Sequence, residues 1–141
     1  MADYTISAND VFIDANATYK PIITRGIAGE AIIAGNAVAY DTANNNFVLA
    51  VNLTPGRSKV SGIALNDGLA GQPIDFMQKG FLLVGSASGG AVGDIAVLSA
   101  TAGTLAPCSD LVSTNLVSIV GVFSATDTIE INLNNSQFAK A

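Results

Sequence analysis

Gly35-Asn36-Ala37-Val38-Ala39-Tyr40, an Asn44-Asn45-Asn46 turn, Phe47-Val48-Leu49-Ala50 and then Val60-Ser61-Gly62-Ile63-Ala64-Leu65 make one stretch of this chain, and a later stretch echoes it. The echo runs Gly93-Asp94-Ile95-Ala96-Val97-Leu98, a Thr101-Ala102-Gly103-Thr104 turn, Leu105-Ala106 and Ile119-Val120-Gly121-Val122-Phe123. Gly35 and Gly62 stand 27 positions apart, Gly93 and Gly121 stand 28 apart. Upstream, Gly26-Ile27-Ala28-Gly29-Glu30 is matched by the glycine-rich run Gly85 to Gly90. A repeat of this length, made of short apolar runs between turns, predicts two similar β-meander halves closing on each other.

Working outward, strand signals recur every 8 to 12 residues, the spacing of a small β-barrel or sandwich. The predicted strands are 22–24, 37–40, 47–51, 58–64, 74–78, 81–84, 95–98, 116–123 and 128–133. Turn chemistry lies between them at Thr54-Pro55-Gly56, Asn66-Asp67-Gly68 and Ser88-Gly89-Gly90, because Gly and Asn accept positive φ cheaply. Helical signals are short. Ser109-Asp110-Leu111-Val112, capped by Ser109, is the strongest, and 31–34 and 68–71 are candidates for single turns. The fold class expected is therefore all-β, with one barrel-like domain over 22–141.

Residues 1–21 stand outside the repeat and read as an extended arm. Tyr4 and Ile6 alternate with polar residues, Ala8-Asn9-Asp10 reads as a turn, and Val11-Phe12-Ile13 is a short apolar run. Asn16-Ala17-Thr18 leads to Lys20-Pro21, which enforces an extended entry into the first strand of the body. If the arm lies on its own barrel, its apolar residues are core; if it reaches another chain, they are anchors.

Composition narrows the function classes. The chain has 141 residues, one domain's length, with 50% hydrophobic and 12% charged residues. Soluble proteins average about 25% charged residues. A surface covered by Ala, Gly, Ser, Thr and Asn is easily buried against another protein, since interface cores are poor in charge; it also suits a stable β protein standing alone. Net charge is −5, and Arg57 and Lys59 are the only close basic pair, which argues against phosphate backbones and anionic lipid. Met1-Ala2-Asp3-Tyr4 lacks the basic and apolar regions of a secretory signal, and the apolar stretch 81–107 is broken by glycines and Asp94. The Asn-x-Ser/Thr sequons at Asn16, Asn52 and Asn134 carry no meaning without a secretory route.

No catalytic pattern emerges. Cys108 is single, has no neighbouring base, and the chain has no histidine. Gly85–Gly90 lacks the Lys-Ser/Thr that a phosphate loop needs, so it reads as a hairpin loop. Asp67, Asp75, Asp94 and Asp127 match no calcium-loop spacing. Lys79, in Met77-Gln78-Lys79-Gly80, faintly suggests the attachment lysine of a biotinyl or lipoyl carrier, but a solvated turn lysine is the stronger reading. The expectation is a protein that is not an enzyme and takes no cofactor, metal or small-molecule substrate.

Several motifs in fixed order carry a resemblance. Ala28-Gly29-Glu30, Gly35-Asn36-Ala37-Val38, Val60-Ser61-Gly62-Ile63-Ala64, Ala70-Gly71-Gln72-Pro73-Ile74 and Leu98 to Pro107 followed by Asp110-Leu111 resemble tailed-phage capsid cement (decoration) proteins. The resemblance spans 22 to 133 and leaves out the arm. It implies a β-rich protein on the outer surface of the virion, made in the host cytoplasm and bound as homotrimers at threefold and quasi-threefold positions. There it would bridge neighbouring major capsid proteins and stabilise the expanded head. The arm is then the expected capsid contact, through Tyr4, Ile6, Val11, Phe12 and Tyr19. Two alternatives stay open: a head-fibre or vertex base module, and a non-catalytic carrier or accessory barrel.

Overall fold

The computed structural model describes residues 3–14 and 19–141; the expected extended lead-in at Asn16-Ala17-Thr18 lies outside them. The strands are β1 (Phe12–Ile13), β2 (Ile22–Ile27), β3 (Ala37–Asp41), β4 (Asn46–Leu49), β5 (Val60–Ala64), β6 (Pro73–Leu83), β7 (Ile95–Leu98), β8 (Leu105–Pro107), β9 (Leu116–Ala125) and β10 (Thr128–Ala139). The only helical pieces among the described residues are four 3-10 turns, at Ala8–Asp10, Pro55–Arg57, Ser86–Ser88 and Cys108–Asp110. The protein is all-β, one antiparallel sheet curled into a half-barrel.

The sheet order β4-β3-β5-β6-β10-β9-β7-β8 is a palindrome in structure. Replacing β3, β4, β5 and β6 by β7, β8, β9 and β10 turns one half of the path into the other, and β6 pairs with β10 at the centre. The repeat is carried down to single residues. Val38 faces Gly62 and Ala39 faces Val60, so Ser61 bulges out of β5. Ala96 faces Gly121 and Val97 faces Ile119, so Val120 bulges out of β9 at the matching place. Each glycine is there because the fourth strand of its half lies on it. A Cβ on Gly62 would come 2.7 Å from the Met77 carbonyl oxygen, and one on Gly121 would run into the carbonyl of Glu130. Bulges sharpen the twist of a sheet, and here they curl both halves alike.

The first half is closed by a strand that has no counterpart in the second among the described residues. β2 pairs with β6 along its length, and Ala28 then makes a parallel bridge to Phe47 in β4. The pairings β2–β6–β5–β3–β4 thus return to the β2 end, around a core of Ala28, Ile32, Val38, Ala64, Ile74 and Phe76 with Phe47 stacked on Phe76 at 4.6 Å. A larger core, centred on Met77, Leu82, Leu98, Leu105, Phe123, Ile129 and Ile131, runs between the halves.

Each end of the chain is tied to the opposite half. Near the N-terminus, the Tyr4 N–H donates to the Leu105 carbonyl, Thr5 N–H to the Ser88 carbonyl, and the Ser99 hydroxyl to Asp3. Near the C-terminus, the Asn135 amide accepts from Val60 N–H at 2.9 Å and donates to Val60 C=O at 3.0 Å, imitating a strand partner. The Ser58 hydroxyl also donates to Gln137 Oε1.

Several expectations need correction. The strands expected at 74–78 and 81–84 are one strand, β6, because Gly80 is not in a turn but inside the strand at φ +139°, where Pro21 lies so close that a Cβ would sit 2.9 Å from its ring. β2 and β10 are longer than expected, and β8 is a full pairing strand. The loop at Gly85–Gly90 is not a hairpin, since β6 and β7, which it joins, are not neighbours. The turn of helix expected at 109–112 starts at Cys108 with Pro107 as its cap, and Ile32 bridges Gly68 where single helical turns were expected.

Candidate functional site: an open apolar strand edge

β1 and β2 run along β6 in the same direction: Phe12 faces Leu83, Ile13 faces Leu82, Ile22 faces Lys79 and Ile27 faces Pro73. They form one interrupted edge. β4, at one end of the sheet path, is covered by Gly29, whose N–H donates to Phe47 C=O; β8, at the other end, is covered by Tyr4. Among the described residues no strand flanks β1, or residues 22–25 of β2, on the side away from β6.

The edge is also apolar. Phe12 is 60% exposed and Ile22 52%, with Ile13, Ile23 and Ile27 exposed beside them. Exposed strand edges are normally blunted by lysines, prolines or inward charges. Here the charge on β2 is Arg25, and it is spent: its Nε donates to Asp75 Oδ1 at 2.8 Å and its Nη2 to Asp75 Oδ2 at 3.3 Å. That guanidinium holds the Asp75 carboxyl below its ordinary range. Thr24 is likewise engaged, donating to Gln78 Oε1 at 2.7 Å.

The five residues expected at a partner contact separate into two groups. Tyr4 and Val11 are buried in this chain's own core, and Ile6 packs against it. Tyr4 stacks on Phe123 at 4.8 Å and donates to Asp94 Oδ2 at 3.3 Å; burial, with the nearby Asp94 carboxylate, pushes its hydroxyl up to about 12. Tyr19 is half-buried, its ring 5.2 Å from Phe81 and its hydroxyl donated to Glu130 at 2.9 Å. Phe12 alone is presented outward, and the structure sets it beside Ile13, Ile22, Ile23 and Ile27. The segment 3–14 is therefore not a free arm but a strap on the barrel. Sequence reasoning named Phe12 but missed the isoleucines, although Pro21-Ile22-Ile23, with apolar residues on both faces of a strand, was the available signal.

Other candidates resolve into local structure. Asp67 accepts from Ala34 N–H, Asp94 from Ala91 N–H and Asp127 from the Thr128 hydroxyl. Among the described residues no three acidic or cysteine side chains gather as a metal site would require. Lys79 lies within β6, not at a hairpin tip, with its ammonium 5.7 Å from the Tyr19 ring centre. Cys108 is exposed. No described helix is long and apolar enough to cross a membrane.

No protein-family model and no curated protein matches this sequence.

Proposed function

We propose that this chain is a structural virion protein of the cement type, which binds the outside of an assembled phage head and stabilises it by bridging neighbouring major capsid proteins. The observation that carries the reading is the open β1–β2 edge, which no strand flanks among the described residues and which exposes five large apolar side chains. Such an edge accepts an extended segment, with main-chain bonds supplying affinity and side-chain pockets supplying register. A weakly charged acidic surface suits a clamp outside a shell full of DNA. Binding only to the assembled shell opposes internal pressure by mass action. As a homotrimer the protein presents three edges at once, so modest single contacts add through effective concentration.

The test is quantitative mass spectrometry of purified particles, read as copies of this chain per major capsid protein. Near-stoichiometric copies support cement, a handful per particle supports a fibre or vertex module, and none overturns both. Ile23→Lys and Phe12→Lys then locate the contact. Each is expected to leave the thermal midpoint within about 2 °C, as exposed substitutions do, while abolishing sedimentation with undecorated heads. Retained binding by both would move the contact off this edge.

A further inference from the structure

A second surface feature is independent of the strand edge. A cleft of about 680 Å³ opens between the tip of the β3–β4 hairpin, the Pro55–Arg57 turn and the end of β10. Pockets for small ligands run from about 300 to 1,000 Å³. Tyr40 and Val48 give it apolar wall, and Asp41, Arg57, Lys59 and Gln137 give it polar groups.

The two basic residues of the cleft are the one close basic pair in an acidic chain, and both have capacity to spare. Among the described residues Lys59 has neither an ion-pair nor a hydrogen-bond partner. Arg57 lies 3.8 Å from Glu30, whose oxygen already accepts from Leu49 N–H at 2.9 Å, and its charge also acts on Asp41 in the same cleft. Asp41 is held by its own turn, accepting from Ala43 N–H at 3.0 Å and Asn44 Nδ2 at 2.8 Å, and Asn44 above all keeps its carboxyl below the ordinary range. It stays ionised, with lone pairs left for another donor. Gln137 has φ +62°, a left-handed conformation that an L side chain rarely adopts. Backbone strain of this kind collects at functional sites. Gln137 Oε1 accepts from Ser58, and among the described residues the amide hydrogens of Gln137 have no partner.

The combination selects a ligand. Arg57, Lys59 and the Gln137 amide are donors suited to a carboxylate. Asp41 is an acceptor that would repel a bare phosphate or sulfate but would take a hydroxyl hydrogen. Tyr40, 42% exposed, offers an aromatic surface for an aliphatic ring face. An extended peptide has no strand edge to join at this wall, because β3 is flanked by both β4 and β5. We propose that this cleft binds an acidic sugar, a hexuronate unit bearing one carboxylate and several hydroxyls.

The test is titration of the ¹⁵N-labelled full chain with trigalacturonate, maltotriose, sulfate and a glutamate-rich peptide, followed at the Gln137 side-chain amide, the Arg57 Nε–H and the amides of 41–44 and 55–61. Trigalacturonate is expected to bind with a dissociation constant below about 1 mM, and maltotriose at least about tenfold more weakly. Arg57→Gln combined with Lys59→Gln is expected to lose about tenfold or more, with an unchanged thermal midpoint showing the fold intact. Lys59→Arg should retain binding. No response to trigalacturonate at about 10 mM, an equal response to maltotriose or sulfate, or tighter binding of the peptide would each overturn the assignment. The outcome does not depend on whether the chain binds capsids.

Discussion

The two halves of this protein share strand order, bulge position and glycine position, yet they solve the problem of the open sheet differently. The first half recruits β2, wraps it round to Phe47 and closes a small core of its own. Among the described residues the second half has no such strand. Its outer strand, β8, is covered by the chain's beginning, with Tyr4 seated on Phe123. One solution leaves the covering strand exposed as a new edge; the other hides its cover in the core. A duplicated meander therefore does not give duplicated surfaces, and the asymmetry is what singles out β1 and β2.

The strongest way to break this comparison is through the cores. Phe76→Ala strikes the closed first half and Phe123→Ala the strapped second half, and each is expected to cost about 3–5 kcal/mol in chemical denaturation. Because the two rings lie in separate core clusters, the double variant's loss should equal the sum within about 0.5 kcal/mol. Strong coupling would mean that the small core of the first half and the larger core between the halves act as one.

The next test compares the matched glycines. Gly121→Ala drives a Cβ into the Glu130 carbonyl, part of the backbone, and is expected to cost about 3 kcal/mol. Gly62→Ala meets the Phe76 ring edge at 2.6 Å as well as the Met77 carbonyl oxygen at 2.7 Å. It should cost somewhat less, about 2 kcal/mol, because a ring can give way. Equal losses would show that the two bulges are equivalent in energy as well as in place.

Asn135→Ala removes both bonds to Val60, leaving a backbone N–H and C=O unmet, and should cost about 1–3 kcal/mol. The Tyr4 strap gives the smallest effect, and it depends on pH. The Tyr4 hydroxyl is raised from 10.0 to about 12 by burial and Asp94. Its neutral form is the one the fold favours, so its contribution is intact below pH 10 and is lost as pH climbs toward about 12. Denaturation midpoints across that window should fall more steeply for the native chain than for Tyr4→Phe; parallel curves would mean that Tyr4 is already ionisable in the fold.

The repeat made the all-β class and the halves legible, because turn residues and period-two apolar runs are local signals. What escaped was set by distant partners. Lys79-Gly80 has the chemistry of a hairpin, yet β6 runs straight through it because β10 pairs with both residues, and Pro21, far off in the chain, leaves no room for a Cβ at Gly80. The polar run Asn134-Asn135-Ser136-Gln137 gives no strand signal, yet β10 continues through it, tied by side chains to Ser58 and Val60. Tyr4 and Val11 look like anchors in an arm until the core that receives them is known. Phe12 is exposed, but the edge it belongs to depends on β2 pairing with β6, which no local pattern announces.

Because the first residues are fastened to the second half and the last residues to the first, the molecule behaves like a parcel tied with crossed string. A protease cut in the loop at 85–90, between the halves, would sever the covalent link and release nothing. Each fragment would still carry the strap that holds the other. The nicked protein should migrate as one species in native gels and as two after denaturation.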